Sequence, residues 1–325
     1  MNYKKSSYKT SVLQSAIKDE PYRYVHYCYS NEAIRKLDSL MVEQGFIESS
    51  YKLMIRAAQA LLDFINHKYS KIKHITIVCG AGNNAGDGYA LARLIRLQDR
   101  EPHIKIRLVS IIDPEILTGD AHLAYLDWLE CDGTIGLMTD AHFPATDLIV
   151  DALIGTGLKR TLEDEWYAAV AAINASSKPV LSVDIPSGLD ADTGASYGIA
   201  VNATYSVTFI GQKMGMYTAQ ARYYCGKIHF ASLGIDDRLY EQVEHHAVLM
   251  EWNNIVGKLP CRNPISHKGD HGHLLIIGGD YGMAGACRIA GEAALRCGAG
   301  LVSIATRKEN TNAITSARPE LMVHG

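Results

Sequence analysis

The sequence has no run of 18 consecutive apolar residues, and its charges nearly balance. The first absence argues against a hydrophobic transmembrane helix. The second is a formal net charge of −3 from 32 basic and 35 acidic residues. It argues against a nucleic-acid surface, because domains that bind nucleic acids are usually strongly basic. We therefore expect neither a membrane nor a nucleic acid as a partner of this chain.

A secretory signal and a paired-cysteine pattern are also missing. The N-terminal segment contains basic residues but lacks the apolar stretch that a secretory signal requires. The seven cysteines are irregularly spaced and include no Cys-x-x-Cys pair, which predicts neither a disulfide framework nor a zinc site. These features predict a cytoplasmic protein in which nearly all cysteines are small buried side chains.

Length and composition predict a globular chain of about two domains. Of the 325 residues, 47% are hydrophobic and 21% are charged, as in ordinary globular domains. We divide the chain into a flexible N-terminal arm (1–25), a first domain (26–240) and a partial second domain (241–325). The last segment is short for a domain, so we expect either a truncation or a partner that completes it.

From residue 74 onward, apolar β-branched segments alternate with amphipathic ones. This alternation is typical of right-handed βαβ units, and it predicts an α/β fold with a Rossmann-like, doubly wound parallel sheet and helices on both faces. The expected strands are residues 74–80, 104–111, 147–153, 179–185, 203–210 and 227–233. The expected helices are residues 87–98, 117–130 and 163–175, preceded by two more helices, of which Ser30 caps the first.

A glycine-rich turn follows the first expected strand. Residues 80–88 contain four glycines, together with Asn83, Asn84 and Asp87. Glycine permits close approach of a ligand, and the N–H groups at the start of the next helix suit a phosphate. The amides and the carboxylate add oxygens that suit a cation. The turn departs from the usual dinucleotide fingerprint, and ordinary turn chemistry is the alternative interpretation.

Two further strand ends carry polar turns. Asp151 ends one strand, and the turn at residues 155–160 offers backbone N–H groups, a hydroxyl and two cations, which suit a pyrophosphate. Asp184 ends the next strand. We expect the two aspartates to converge at one edge of the sheet, either for acid–base chemistry near a cation or as helix caps, and their spacing leaves both open. Lys213, after the fifth strand, is interpreted as a surface lysine.

Three motifs, in this order, resemble the NAD(P)H-hydrate epimerase domain. They are Asn-Asn-Ala-Gly-Asp-Gly at residues 83–88, Asp-Ala-Leu-Ile-Gly-Thr-Gly at 151–157 and Asp-Ile-Pro-Ser-Gly-Leu at 184–189. The resemblance implies hydrated NADH or NADPH as the substrate, a homo-oligomer, and potassium as a cofactor. It implies that Asn84, Asp151 and Ser187 bind the potassium ion. It also implies a substrate-binding set made up of Asn83, Asn84, Ala85, Gly86, Asp87, Gly155, Thr156, Gly157, Leu158, Lys159, Arg160, Thr161 and Asp184.

The substrate suggests the chemistry. The hydrated ring carbon bears a hydroxyl and is bonded to the ring nitrogen, whose lone pair can expel the hydroxyl or open the ring. A carboxylate that shuttles a proton would accelerate the interconversion of the two epimers. Our hypothesis places Asp184 or Asp151 in that role. We favour Asp184 as the catalytic residue, because a bound cation would hold Asp151 as an anion.

Later segments resemble the start of the ribokinase-like, ADP-dependent NAD(P)H-hydrate dehydratase domain. They are residues 266–270, 282–286 and 318–322, and the order of the two domains resembles that of bifunctional NAD(P)H-hydrate repair enzymes. The resemblance places Ala286 on the substrate side of the second site. It implies ADP and magnesium as cofactors only for a complete dehydratase domain. The catalytic Gly/Asp-rich motif of that family is absent here, so we expect epimerisation without dehydration.

Two other interpretations stay open at this point. One is a nicotinamide-dependent oxidoreductase on a Rossmann-like fold, although the fingerprint is imperfect and the acidic residue expected about 20 residues further on is missing. The other is a non-catalytic nucleotide-binding module. Such a module would be expected to lose Asp184 or the pair Asn84 and Asp151, whereas this sequence contains all three.

Overall fold

The computed structural model describes residues 26–98, 104–138, 143, 145–258 and 261–325. The expected N-terminal arm, residues 1–25, lies outside the described residues. The chain divides into two compact units, one up to Asn254 and one from Ile255 onward. No helix among the described residues is both long enough and apolar enough to cross a bilayer.

A seven-stranded sheet forms the centre of the first unit. Its strand order is β4-β3-β2-β5-β6-β7-β9, and every neighbouring pair is parallel. The central strands are buried and rich in Val, Ile and Leu, as expected for a sheet that is covered on both faces. The strands are β2 (His74–Cys79), β3 (Lys105–Ser110), β4 (Gly136–Leu137), β5 (Leu148–Ala152), β6 (Val180–Val183), β7 (Tyr205–Phe209) and β9 (Lys227–Ala231).

Helices cover both faces of this sheet, which confirms the doubly wound α/β fold. One apolar cluster joins four long helices and one short helix to side chains such as Ile77 and Val150, and a second joins one helix to Val78 and Ile149 on the other face. The first four helices are α1 (Asn31–Glu43), α2 (Ser50–Lys68), α3 (Asn83–Gln98) and α4 (Gly119–Glu130). The later ones are α5 (Asp164–Ala175), with the short α6 (Ala221–Tyr224), α7 (Asp237–Tyr240) and α8 (Trp252–Val256).

Two helix starts differ in detail from the sequence prediction. Helix α3 begins at Asn83 rather than at residue 87, so the predicted turn residues form its first turns. Helix α4 begins at Gly119, two residues after its predicted start. A separate 3-10 turn, Pro114–Ile116, precedes it and is capped by Asp113. The predicted cap of α1 is confirmed, because the Ser30 side chain accepts a hydrogen bond from the backbone of Ala33.

A small three-stranded sheet was not predicted. Strand β1 (Tyr27–Tyr29) pairs in parallel with β8 (Gln212–Lys213) and in antiparallel fashion with β10 (Ala247–Val248). Strands of two or three residues are too short to show a periodicity in the sequence. This sheet fixes the backbone of Lys213, and it brings residues 247–248 into the first unit, beyond the predicted boundary at residue 240.

The second unit contains a three-stranded parallel sheet with two helices. The strand order is β11-β12-β13, and Ile304 of the middle strand is fully buried. The elements are β11 (His273–Ile277), α9 (Ala284–Arg296), β12 (Leu301–Ala305), α10 (Thr311–Ala317) and β13 (Met322–His324). Several large apolar side chains of β11 are exposed, Ile277 to 79%.

The cysteines are all free of disulfides, as predicted. Four of them, Cys28, Cys79, Cys225 and Cys287, are buried. The prediction that nearly all are buried is wrong, because Cys261 and Cys297 are exposed and Cys131 is half-buried.

Candidate functional site

A cavity of about 1300 Å³ lies in the first unit, at the carboxyl ends of β2, β5, β6 and β7. Its lining comes from the segments that follow these strands, as the rule for parallel α/β sheets predicts. The predicted residues that line it are Asn83, Asn84 and Asp87 after β2, residues 155–161 after β5, and Asp184 after β6.

Asp151 is fully buried behind this cavity and accepts four hydrogen bonds. Its Oδ1 accepts from Ser187 Oγ at 2.6 Å and from the backbone N–H of Leu153 at 3.3 Å. Its Oδ2 accepts from Ser182 Oγ at 2.8 Å and from the backbone N–H of Ser187 at 2.9 Å. The network ties the ends of β5 and β6 together.

The partners that Asp151 has within the described part of the chain are neutral N–H and O–H groups. Burial raises the pKa of this carboxyl, and the hydrogen bonds lower it by a smaller amount. A buried carboxylate that lacks a positive partner is costly. A cation close to Asp151 would therefore stabilise the charged form.

Asn84 and Ser187 meet at the turn that follows β5. Ser187 Oγ contacts both the N–H and the carbonyl of Ile154, at 2.9 and 3.0 Å. The next residue, Gly155, packs so closely on the Asn84 amide that an added Cβ would lie 3.1 Å from Asn84 Oδ1. One amide atom of Asn84, assigned as Nδ2, is buried without a partner among the described residues.

These three side chains fit a hard monovalent cation in the chemistry of their donors. Because the two ends of an amide are assigned from hydrogen bonding, the unpartnered amide position of Asn84 can present an oxygen. Together with Asp151, Ser187 Oγ and the nearby carbonyl of Ile154, the donors are all oxygens, which such ions prefer. The geometry of an ion at this point stays a proposal.

Lys213 is not a surface lysine, contrary to the sequence interpretation. Its side chain is 1% exposed, and Nζ donates to Asp184 Oδ1, to Thr208 Oγ1 at 2.9 Å and to the carbonyl of Phe209 at 3.0 Å. Asp184 Oδ1 also accepts from the backbone N–H of Phe209 at 3.2 Å. Lysine is rarely buried unless it is paired, and the short strand β8 supplies the position for the pair.

Two tight turns place the ion pair of Asp184 and Lys213 beside the cavity. Asp184 and Ile210 have φ values of 65° and 64°, and each is the central residue of a three-residue turn that follows its strand. The bonds that close the turns run from Ile185 N to Val183 O at 2.8 Å and from Gly211 N to Phe209 O at 2.6 Å. Such γ-turns are rare and strained, above all for a β-branched residue, and strain of this kind clusters at functional sites.

Asp38 and Asp87 add two carboxyl groups to the same cavity. Burial raises the pKa of Asp38 to about 7; Lys213 opposes the rise and Asp184 adds to it. Burial, followed by the negative charges of Asp184 and Asp38, also raises the pKa of Asp87 well above its usual range. Three carboxyl groups therefore lie near one ammonium group.

Asp38 is not among the residues that the sequence motifs predicted for the site. It lies on α1, four residues after Ile34 and three before Met41, and both of these are buried. An acidic residue in the middle of an apolar helical face is the signal that could have found it, because Asp is seldom placed there without a partner or a function. Asn31 was also missed: its Nδ2 donates to the carbonyl of Thr156 at 2.7 Å and anchors the loop at residues 155–161.

The predicted cation ligands Asp151 and Ser187 are fully buried and do not line the cavity. Three residues that were predicted to contact substrate do not line it either. Ala85 is fully buried, and Gly86 packs against Met54 and Ala121, so both support the start of α3 from behind. Ala286 lies in the first turn of α9, in the second unit, and is exposed. Their predicted contacts with substrate stay predictions.

A parallel α/β sheet with a glycine-rich strand–helix turn and a polar cavity at its carboxyl edge defines a Rossmann-like α/β protein. Comparison with known families then specifies which one. The chain belongs to the family described as YjeF-related protein N-terminus, whose model matches residues 50–215. A second family model, described as NAD(P)H-hydrate dehydratase, matches residues 274–325.

Curated relatives cover both segments. The bifunctional NAD(P)H-hydrate repair enzyme Nnr of Escherichia coli K12 is 43% identical over 274 residues, which are 84% of this chain and 52% of that enzyme. The enzyme of the same name from Coxiella burnetii is 40% identical over 296 residues, which are 91% of this chain and 59% of that enzyme. This chain thus spans between half and three fifths of the length of these relatives.

A solved structure resembles the fold. The crystal structure of the yeast protein ynu0 aligns with a TM-score of 0.57 over 69% of this chain and 96% of that protein. Its sequence identity of 18% supports a shared fold and no more.

Proposed function

We propose that the first unit is an NAD(P)H-hydrate epimerase, which interconverts the R and S forms of hydrated NADH and NADPH. One observation supports this proposal above the others. The three motifs that resemble the epimerase domain come together in one cavity, in a chain whose relatives are named NAD(P)H-hydrate repair enzymes. The cavity of about 1300 Å³ is large enough for a dinucleotide.

The nucleotide part of the substrate would bind at the start of α3. The first N–H groups of that helix have no partner within the helix, and its dipole favours an anion such as pyrophosphate. The loop at residues 155–161 would cover the other side of the phosphates, with Lys159 and Arg160 as exposed cations. The anchor from Asn31 to Thr156 supports this loop.

The nicotinamide part would lie beside Asp184. Loss of the hydroxyl from the hydrated carbon leaves a positive charge that is shared with the ring nitrogen. A fixed carboxylate next to this ring stabilises that charge. The ion pair with Lys213 holds Asp184 in one orientation, so we propose Asp184 as the catalytic residue that stabilises the reacting ring.

Asn84, Asp151 and Ser187 are the proposed potassium ligands. A bound ion would give Asp151 a positively charged partner, and it would connect the turns that follow β2, β5 and β6. The residues themselves position the loop at 155–161 and the start of α3. We also propose that the protein acts in the cytoplasm as a homo-oligomer.

Chiral chromatography of R-hydrated NADPH, incubated with the chain, tests the proposal. We expect the S form to appear at a catalysed rate in potassium chloride, and more slowly when tetramethylammonium replaces potassium, because that ion is too large to fit between the three side chains. A rate equal to that without protein would contradict the proposal. Hydride transfer to alcohols would favour an oxidoreductase instead, and binding without turnover would favour a non-catalytic module.

The second unit leads to a separate prediction. The dehydratase model matches this chain over residues 274–325 alone, and we propose that these residues form the beginning of such a domain. We expect the 325-residue chain to show no ADP-dependent dehydration of S-hydrated NADPH. The ultraviolet absorbance of the hydrate, followed with ADP and magnesium, measures this. A loss of signal that requires ADP would show that the unit is active.

A further inference from the structure

The proposed reaction needs a group that gives a proton to the substrate and takes it back. Eight acidic side chains line the cavity, and three of them, Asp38, Asp87 and Asp184, interact electrostatically with Lys213. Asp184 is held in an ion pair with Lys213, so it serves as a fixed charge. Burial raises the pKa of Asp87 well above its usual range, which favours the neutral form of that carboxyl.

Asp38 differs from both. It lines the cavity from α1. Its Oδ1 is buried, yet within the described ranges no hydrogen-bond donor or acceptor contacts it. A buried carboxyl oxygen without a hydrogen-bond partner is costly for the anion, so this position favours the protonated acid. Burial also raises the pKa of Asp38 to about 7, close to the optimum for proton exchange at neutral pH.

We propose that Asp38, which lines the cavity, is the acid–base residue of the epimerisation and exchanges a proton with the substrate hydroxyl. The inference rests on the proposed function, and it assigns proton transfer to a different residue from the one that the sequence suggested. Asp184 keeps the separate role of stabilising the positive ring.

The proton balance is simple. Protonated Asp38 gives its proton to the hydroxyl oxygen as the bond between that oxygen and the ring carbon breaks. The bonding electrons leave with the oxygen as water, and the lone pair of the ring nitrogen forms the carbon–nitrogen double bond. A water molecule then adds to the opposite face of the ring and forms the new carbon–oxygen bond. Its surplus proton returns to the Asp38 carboxylate, directly or through solvent, so the enzyme is unchanged.

The charges around Asp38 set the pH at which it works. Lys213 on β8 lowers its pKa and Asp184 at the end of β6 raises it, while Arg35 on its own helix lowers it by a smaller amount. Asp87 of α3 is the remaining group in electrostatic contact. Because the first step needs the protonated carboxyl, we expect kcat/KM to fall as the pH rises through about 7.

The test is the pH dependence of epimerisation by the wild type and by Asp38→Asn, with Glu32→Gln as the control. Glu32 is an exposed acidic residue in the first turn of the same helix. We expect Asp38→Asn to lower kcat by about 100-fold with little change in KM, and to abolish the fall of kcat/KM near pH 7. The control should keep the wild-type profile.

Asp38→Glu retains a titrating carboxyl, and we expect it to keep a falling limb at a reduced kcat. This variant also provides the test if Asp38→Asn fails to fold, which thermal unfolding would reveal. An Asp38→Asn enzyme that keeps the falling limb would overturn the proposal, as would an Asp38→Glu enzyme without one. If the wild type binds hydrated NADPH but does not epimerise it, the proposed function fails as well. An active wild type with an unaffected Asp38→Asn variant overturns this inference alone.

Discussion

Replacing Lys213 with methionine is expected to lower the free energy of unfolding by about 3 kcal/mol and to reduce epimerisation at least about 100-fold. The Lys213 ammonium donates three hydrogen bonds from a position that is 1% exposed. Methionine fills a similar volume but leaves the Asp184 carboxylate without its positive partner and removes the bond from Nζ to the carbonyl of Phe209. Losing one member of a buried ion pair costs more than the pair contributes, because the other charge remains.

Urea unfolding and the chiral assay measure the two effects, with Lys52→Met as the matched control. Lys52 is an exposed lysine near the start of α2, so its loss should change neither quantity. The double variant, Lys213→Met with Asp184→Asn, removes both charges and should regain part of the lost stability while remaining inactive. Equal unfolding midpoints for Lys213→Met and Lys52→Met would contradict the buried ion pair.

The sheet and the loops at its edge could be predicted because each rests on a local pattern. Strand β2 is a β-branched run followed by glycines, and β5 is an apolar run with Asp151 as its next-to-last residue. Such runs, alternating with helical segments, allow few arrangements other than a parallel sheet. In a parallel sheet, the carboxyl ends of the strands lie at one edge. The prediction therefore placed Asp184 at that edge, and the structure has it in the cavity there.

The partners within the cavity could not be predicted in the same way. The burial of Lys213 depends on β8, which is two residues long and pairs with β1, more than 180 residues earlier in the sequence. A pairing of that range leaves no periodic signal. The position of Asp38 beside Lys213 and Asp184 likewise depends on where α1 packs, which helical spacing does not specify.

Replacing Asp151 with asparagine is the second large effect that we expect. Asparagine has nearly the same shape, but one carboxylate oxygen becomes an NH₂ group, which donates instead of accepting. Whichever way the amide is turned, this group faces a backbone N–H, that of Ser187 or that of Leu153. A buried N–H without an acceptor, together with the loss of bonds to a charged group, should lower the free energy of unfolding by about 3 kcal/mol.

The same substitution should remove the response to potassium. In the wild type, we expect the melting temperature to rise with potassium concentration, because an ion that binds only the folded state stabilises it. In Asp151→Asn the buried negative charge is gone, and the melting temperature should no longer depend on whether the salt is potassium or tetramethylammonium chloride. This readout is independent of activity, so it tests the ion site even in an inactive variant.

Asp147→Asn is the matched control, because it makes the same chemical change at the start of the same strand. Asp147 also accepts two backbone N–H bonds, from Lys73 and His74, but its side chain is 46% exposed. Water can replace the lost acceptor there, so we expect a smaller loss of stability and an unchanged response to potassium. If both variants lost the potassium response, or if neither did, the ion would not be bound through Asp151, and the proposed joining of the three strand-end turns by one cation would be wrong.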